Sequence, residues 1–133
     1  MESSSSLIEK IEQSLKSKRF AKLPIEHVTR ISYNTIREWC ILHGDYCLTL
    51  WYNLDEEEKH LYLMQVVYCL DHSPTDEDLH NFWLLAAVQK GWFIGEIYNL
   101  QSKRHPHLNN YWQLPEYLKT KVKLLNNLIQ SIK

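Results

Sequence analysis

Residues that break helices are the scarcest feature of this chain: three glycines and four prolines in 133 residues, each where a helical pattern starts or stops. Glycine interrupts a helix through its backbone freedom, and proline through its fixed φ and missing N–H. The long stretches between them carry apolar residues three and four positions apart. That periodicity makes the chain mostly α, and a length of 133 residues supports a single-domain helical fold.

The pattern divides the chain as follows. After the polar "ESSSS", Leu7, Ile8, Ile11 and Leu15 stand at helical spacing and end near the basic "KSKRFAK". They form a short amphipathic extension over residues 1–22, either mobile or an addition to the core. The main domain is expected over residues 23–133. From Pro24, suited to a first helical turn, Ile25, Val28, Ile31, Ile36, Trp39 and Leu42 mark an apolar stripe that ends at Gly44. "GDYCLTLWYNL" then reads as a loop anchored by Trp51. Asp55 opens the next helix with Glu58 in capping-box position, and Leu61, Leu63, Met64, Val67, Tyr68 and Leu70 make it apolar over most of its girth, hence central. Ser73 or Thr75 caps a fourth helix with the buried stripe Leu79, Phe82, Trp83 and Ala86, which Gly91 closes. "WFIGEIY" has the aromatic and β-branched content of a short strand or hairpin arm, so a β-hairpin is expected near residues 91–98. Finally Leu118, Val122, Leu125, Ile129 and Ile132 fall at steps of four and three after Pro115.

Fifteen Lys and Arg against sixteen Asp and Glu leave no global field to hold a nucleic-acid polymer or an acidic membrane, so any anion site is local. The start has neither a basic n-region nor an apolar h-region, and no run is long enough to span a bilayer. The expected location is cytoplasmic. Cys40, Cys47 and Cys69 lack CxxC spacing and read as reduced, packed thiols.

No P-loop, GxSxG elbow or HExxH is present. His105 and His107 need two further converging donors to hold a metal, and the spacing supplies none, so neither a metal nor a cofactor is expected. The acids from Asp55 to Glu58 read as a solvated, dipole-stabilising first turn, and "KTKVK" as the wet face of the last helix. One constellation remains. Lys103, Arg104, His105 and His107 stand beside Trp92, Tyr98, Tyr111 and Trp112, and aromatic faces beside cations suit a base plus phosphate. The competing reading is that the aromatics are core and the basic residues a solvated turn.

The spaced series "HNFW", "GWFIG", "KRHPHL" and "YWQLPEYLKTK" resembles the ryanodine-receptor repeat domain, whose pattern is H-x-x-W, G-W-x-Y-G, K-x-H-P and P-Y-x-x-L-P with a lysine-bearing last helix. The resemblance runs from about Pro24 to Ile132 and is nearest to the stand-alone prokaryotic and phage type. "IEHVTRISYNTIREWCILHGD" is similar to its first helix, and Trp51 and Lys59 stand where a Trp and a Lys are expected. It departs at Ala87, where the family has a cation, at Ile94, at Tyr98-Asn99 and at Asn110.

The resemblance implies a non-enzymatic module for a nucleotide or nucleotide-derived signal, one that a phage protein could sequester in conflict with its host's defences. It also implies a compact fold, and carried over by position the tryptophan is Trp83 and the basic segment is Lys103, Arg104, His105 and Pro106. The leading expectation is that Trp83, Trp92 or Tyr98 stacks a base and Lys103, Arg104 and His105 meet phosphate, with Tyr111 and Arg37 among the ligand residues. Because the motif acts in pairs elsewhere, Arg37, Trp39, Arg104 and His105 would rebuild a pocket across a homodimer. The alternative function is a protein-interaction or scaffold module with structural aromatics, in which Trp112, Asn109 and Asn110 make the contacts.

Overall fold

The structure is a computed structural model that describes residues 4–16 and 24–133. Its helices are α1 (Ser4–Lys16), α2 (Ile25–Leu42), α3 (Glu56–His72), α4 (Asp76–Gln89) and α5 (Glu116–Gln130), with 3-10 turns at Trp51–Asn53 and Tyr111–Gln113. The expected boundary between residues 22 and 23 lies outside the described residues. No helix among them is long and apolar enough to cross a membrane.

The helix starts follow local chemistry. Asp55 caps α3 by accepting the Glu58 N–H at 2.8 Å, and Thr75 caps α4 by accepting the Asp78 N–H at 3.2 Å. Three acids in the first turn of each suit the helix dipole. Gly44 and Gly91 take the left-handed conformation just past α2 and α4, where a side chain would be strained.

Helix α3 packs against α1, α2, α4 and α5, which is why it is apolar nearly all round. Helix α1 seals one flank, burying Ile8 and Ile11 and setting the Glu12 carboxylate 2.8 Å from His60 Nε2. In α5 the buried stripe is the expected one, Leu118, Val122, Leu125 and Ile129, while Ile132 lies past the helix end and is exposed. Helix α2 departs from expectation. Ile31 and Leu42 face solvent, and Thr29, Ser32, Tyr33 and Cys40 join Ile25 and Ile36 inside. Two of these polar groups are satisfied, since Ser32 donates to its own helix at Val28 O (2.7 Å) and Tyr33 to Thr49 O (2.6 Å), while the buried Thr29 hydroxyl has no hydrogen-bond partner among the described residues.

The small β-element sits where a hairpin was expected but is built differently. β1 (Phe93–Ile94) and β2 (Arg104–His105) run parallel, joined through a turn that an antiparallel Asn99–Arg104 bridge pinches shut. The hairpin reading fails because β1 pairs beyond that turn, not across it. At Gly95 the strands approach so closely that a Cβ would meet Arg104 Cβ at 2.7 Å. Gly95→Ala is therefore expected to cost about 1–3 kcal/mol by overpacking, read as a lower urea midpoint; an unchanged midpoint would show that the strand pair has slack.

Candidate functional site

Three of the aromatic and basic residues singled out in the sequence are interior. Trp83 is 5% exposed, Trp92 2% and His105 3%. Trp83 stacks near Tyr62 at 6.1 Å, and Trp92 lies along Tyr98 at 6.0 Å. The His105 ring is edge-on to Trp83, Trp92 and Tyr98, and its Nδ1 accepts the His107 N–H at 3.0 Å. A base has no open indole face here, and His105 presents no atom to a phosphate or to another copy of the chain. All three side chains are packed in the core, so none of them presents an exposed face here.

The other expected ligand residues are scattered. Lys103, with φ +56°, donates from Nζ to Glu57 (2.9 Å) and to Lys90 O (2.7 Å), tying the turn to α3 and the end of α4. Arg104 is exposed, with its guanidinium 5.1 Å from the Phe93 ring centre. Tyr111 is half-buried on another side, beneath the Lys119 ammonium. Arg37 and Tyr98 do come together, on the walls of an open cleft of about 880 Å³ whose other lining residues include His43, Asp45, Tyr46, Cys47, Glu96, Pro106 and Tyr117. A second hollow of about 630 Å³ lies between α1, α3 and α4, where Lys10 and Lys90 join acids, amides and aliphatics, but its lining includes no aromatic side chain.

Local structure explains the cleft. Gly44 turns the chain out of α2, and Asp45 then holds the loop by accepting the Cys47 N–H on Oδ1 at 3.1 Å. Arg37 reaches the same loop, donating from Nε to Leu48 O at 3.0 Å. Trp39 donates to Tyr117 O at 2.8 Å, which fixes α5 against α2, and His43 lies nearly parallel to the Tyr117 ring at 5.4 Å. On the opposite wall the Tyr98 hydroxyl donates to Glu58, with both carboxylate oxygens within 2.9 Å. Glu58 is 5% exposed, which corrects the expectation of a solvated acidic turn. Burial raises its pKa, and the Tyr98 hydrogen bond works against that shift.

Behind the cleft runs a buried polar chain. Lys121 Nζ donates to His107 Nδ1 at 3.1 Å, His107 Nε2–H donates to Asp45 Oδ2 at 2.7 Å, and the Tyr117 hydroxyl donates to the same oxygen at 2.8 Å. Lys121 is 6% exposed and its ammonium lies 5.6 Å from the Trp83 ring centre, so it is not on the wet face of α5 as expected. Burial lowers its pKa, with Asp45 opposing. Asp45 is held well below the usual carboxylate range, first by the His107 hydrogen bond. Burial, then the Lys121 charge, pushes His107 down to about 4. The chain thus reads as a cation and an anion bridged by a neutral imidazole.

That assignment decides the chemistry. Cys47 Sγ lies 3.2 Å from His107 Nε2, but this nitrogen carries the proton given to Asp45 and the other accepts from Lys121, so the ring has no lone pair with which to activate a thiol. Burial and the Asp45 charge also raise the Cys47 pKa, keeping the sulfur a thiol. The same accounting applies to metals. Donor atoms of Cys47, His105 and His107, and of Cys40, Asp45 and His107, lie within 4.8 Å of one another. The Nδ1 lone pairs of His105 and His107 are already engaged, and an ammonium sits alongside. The trio is better suited to bracing the loop than to holding a cation.

Fold and site together define a small helical domain in which a buried ion chain stiffens one wall of an open, aromatic-lined cleft. The family model of the RyR domain matches residues 73–133, from just past α3 through α5. Helix α2 and the loop after it, which supply much of the cleft, lie outside the matched residues. No curated protein and no solved structure matches the chain.

Proposed function

We propose that the chain is a non-catalytic module that captures a small nucleotide-derived ligand in the cleft between Arg37 and Tyr98. The observation that carries this reading is the cleft itself. Its volume is within the range of small-molecule sites, about 300–1,000 Å³, it combines Tyr46, Tyr98 and Tyr117 with a guanidinium, and a satisfied buried network holds its walls. All of these walls come from one chain, so a homodimer is not needed to complete it. The resemblance to ryanodine-receptor repeats supports nucleotide chemistry, and sequestration of such a signal in phage–host conflict is the role that follows from it.

Thermal-shift measurements with linear and cyclic nucleotides test the reading. A ligand at about 100 Kd adds about 2.7 kcal/mol of stability, enough to move the melting temperature by several degrees. The shift should vanish in Arg37→Ala and survive in Arg104→Ala, each compared with its own unliganded melting point. Absence of any shift removes the ligand reading, whereas loss only in Arg104→Ala moves the site to the strand pair.

A second reading, a protein-contact surface, is favoured by Trp112. It is 69% exposed yet fixed, its Nε1–H donating to Glu77 at 2.9 Å under a Lys119 ammonium 5.1 Å away. Exposed Asn110 adjoins it. A Trp112→Ala variant that loses a partner protein while keeping nucleotide-induced stabilisation would place a separate function there.

A further inference from the structure

The charges around the cleft narrow the class of ligand it can take, an inference that rests on the binding reading above. The side-chain cation on its walls is Arg37, and part of that guanidinium is already committed to Leu48 O and, at 3.5 Å, to Glu38. Two carboxylates share the lining, Asp45 on the loop after α2 and Glu96 just past β1, while Glu58 lies buried behind Tyr98. The phenol protons of Tyr98 and Tyr117 are spent on Glu58 and Asp45, and His43 Nδ1 is bonded at 2.9 Å to the carbonyl of Trp39. Lys103, Arg104 and Lys121, which could otherwise neutralise a phosphate tail, are a surface clamp on Glu57, a cation on the Phe93 ring and a buried ion partner.

With Asp45 balanced by Lys121 through His107, Glu96 is the wall carboxylate that faces a ligand. The part-committed Arg37 can meet one phosphate, and each further phosphate brings charge near Glu96 with no second wall cation among the described residues to offset it. The site does suit a neutral planar ring carrying N–H donors. Tyr46, 73% exposed, gives an aromatic face at the rim, and Glu96 gives an acceptor. We infer that the cleft selects a nucleoside or nucleoside monophosphate, with the ring among the tyrosines and at most one phosphate on Arg37, and discriminates against di- and triphosphates.

The experiment is calorimetric titration of the whole chain with adenosine, guanosine and their mono-, di- and triphosphates. For the preferred base, the triphosphate should bind about tenfold or more weakly than the monophosphate, which is about 1.4 kcal/mol. Raising salt from about 0.05 to about 0.5 M should narrow that gap by screening. Glu96→Gln, at an exposed position, should narrow it at low salt as well. Arg37→Gln should weaken the monophosphate about tenfold and move the nucleoside by less than about threefold. Tightest binding of the triphosphate, lost in Arg37→Gln, overturns the selectivity and leaves nucleotide binding standing. No binding by any member of the series overturns both.

Discussion

Asp45→Ala is expected to destabilise the domain by about 3–5 kcal/mol, the usual cost of removing one partner from a buried ion pair. That is a large part of the roughly 5–15 kcal/mol that holds a domain of this size together. The carboxylate accepts three hydrogen bonds, from Cys47 N–H, His107 Nε2–H and the Tyr117 hydroxyl. Its loss deprives the buried His107 Nε2–H of its carboxylate acceptor and strips Lys121 of the charge that balances it across the imidazole. Asp45→Asn keeps the shape and one acceptor oxygen, so a smaller loss is expected. Lys121→Met alone leaves the anion uncompensated but fills the space beside Trp83 with a side chain of similar length. The double variant Asp45→Ala/Lys121→Met should lose clearly less than the sum of the single losses, because no lone buried charge is left. Urea unfolding of the four proteins gives the coupling energy. Additive losses would mean that His107 does not transmit charge between the two ends, and the ion-chain description would be wrong.

The parts of this structure that were legible in the sequence are those governed by a local period. Leu118, Val122, Leu125 and Ile129 are buried as their spacing predicts, and α3 is central because its apolar residues encircle it. The cap at Asp55 and the left-handed glycines after α2 and α4 follow from residue chemistry within one turn. Lys121 carried a local sign that was easy to discount. It stands three residues after Leu118 and four before Leu125, within the apolar stripe, but a lysine is ordinarily assigned to water. Its charge partner Asp45 is on a loop far away in sequence, and no spacing relates the two. Glu58 was obscured in the same way, since a capping-box acid and a buried Tyr98 acceptor have the same local sequence. The parallel pairing of β1 and β2 depends on where the turn between them closes, which composition does not encode. Of the candidate ligand residues, Arg37 and Tyr98 share the cleft, while Trp83, Trp92 and His105 are core. Aromatics and histidines near cations look alike in sequence whether they line a pocket or fill an interior.

The buried histidines should make the domain begin to lose stability at pH values where ordinary carboxylates are still ionised. Burial, with Lys121 adding repulsion, holds both His80 and His107 to about 4, against an ordinary value of about 6.5 in the unfolded chain. Burial also lowers His105. The folded pKa lies below the unfolded one, so between about pH 6.5 and about pH 4 the unfolded chain binds protons that the folded chain refuses. Stability from these groups is complete above that window and is lost as the pH falls through it. At about 1.4 kcal/mol per unit, His80 and His107 can each withdraw roughly 3 kcal/mol, and less as a pair because both respond to the same lysine. Glu58 acts in the opposite direction, since its raised pKa lets the folded state take up a proton more readily, but it is one group against three. Asp45, held low, begins to contribute a loss only below the ordinary carboxylate range. The urea midpoint should therefore fall steadily from about pH 6.5, with spontaneous unfolding near pH 4–5 and a slope equivalent to roughly two protons. His80 donates from Nε2 to Asn109 O at 2.7 Å, a bond that the side-chain amide of His80→Gln can supply without titrating. That variant should flatten the slope by about one proton. A midpoint unchanged between about pH 7 and about pH 4.5 would show that these imidazoles can be charged inside the fold, and the neutral bridge between Lys121 and Asp45 would fall with it.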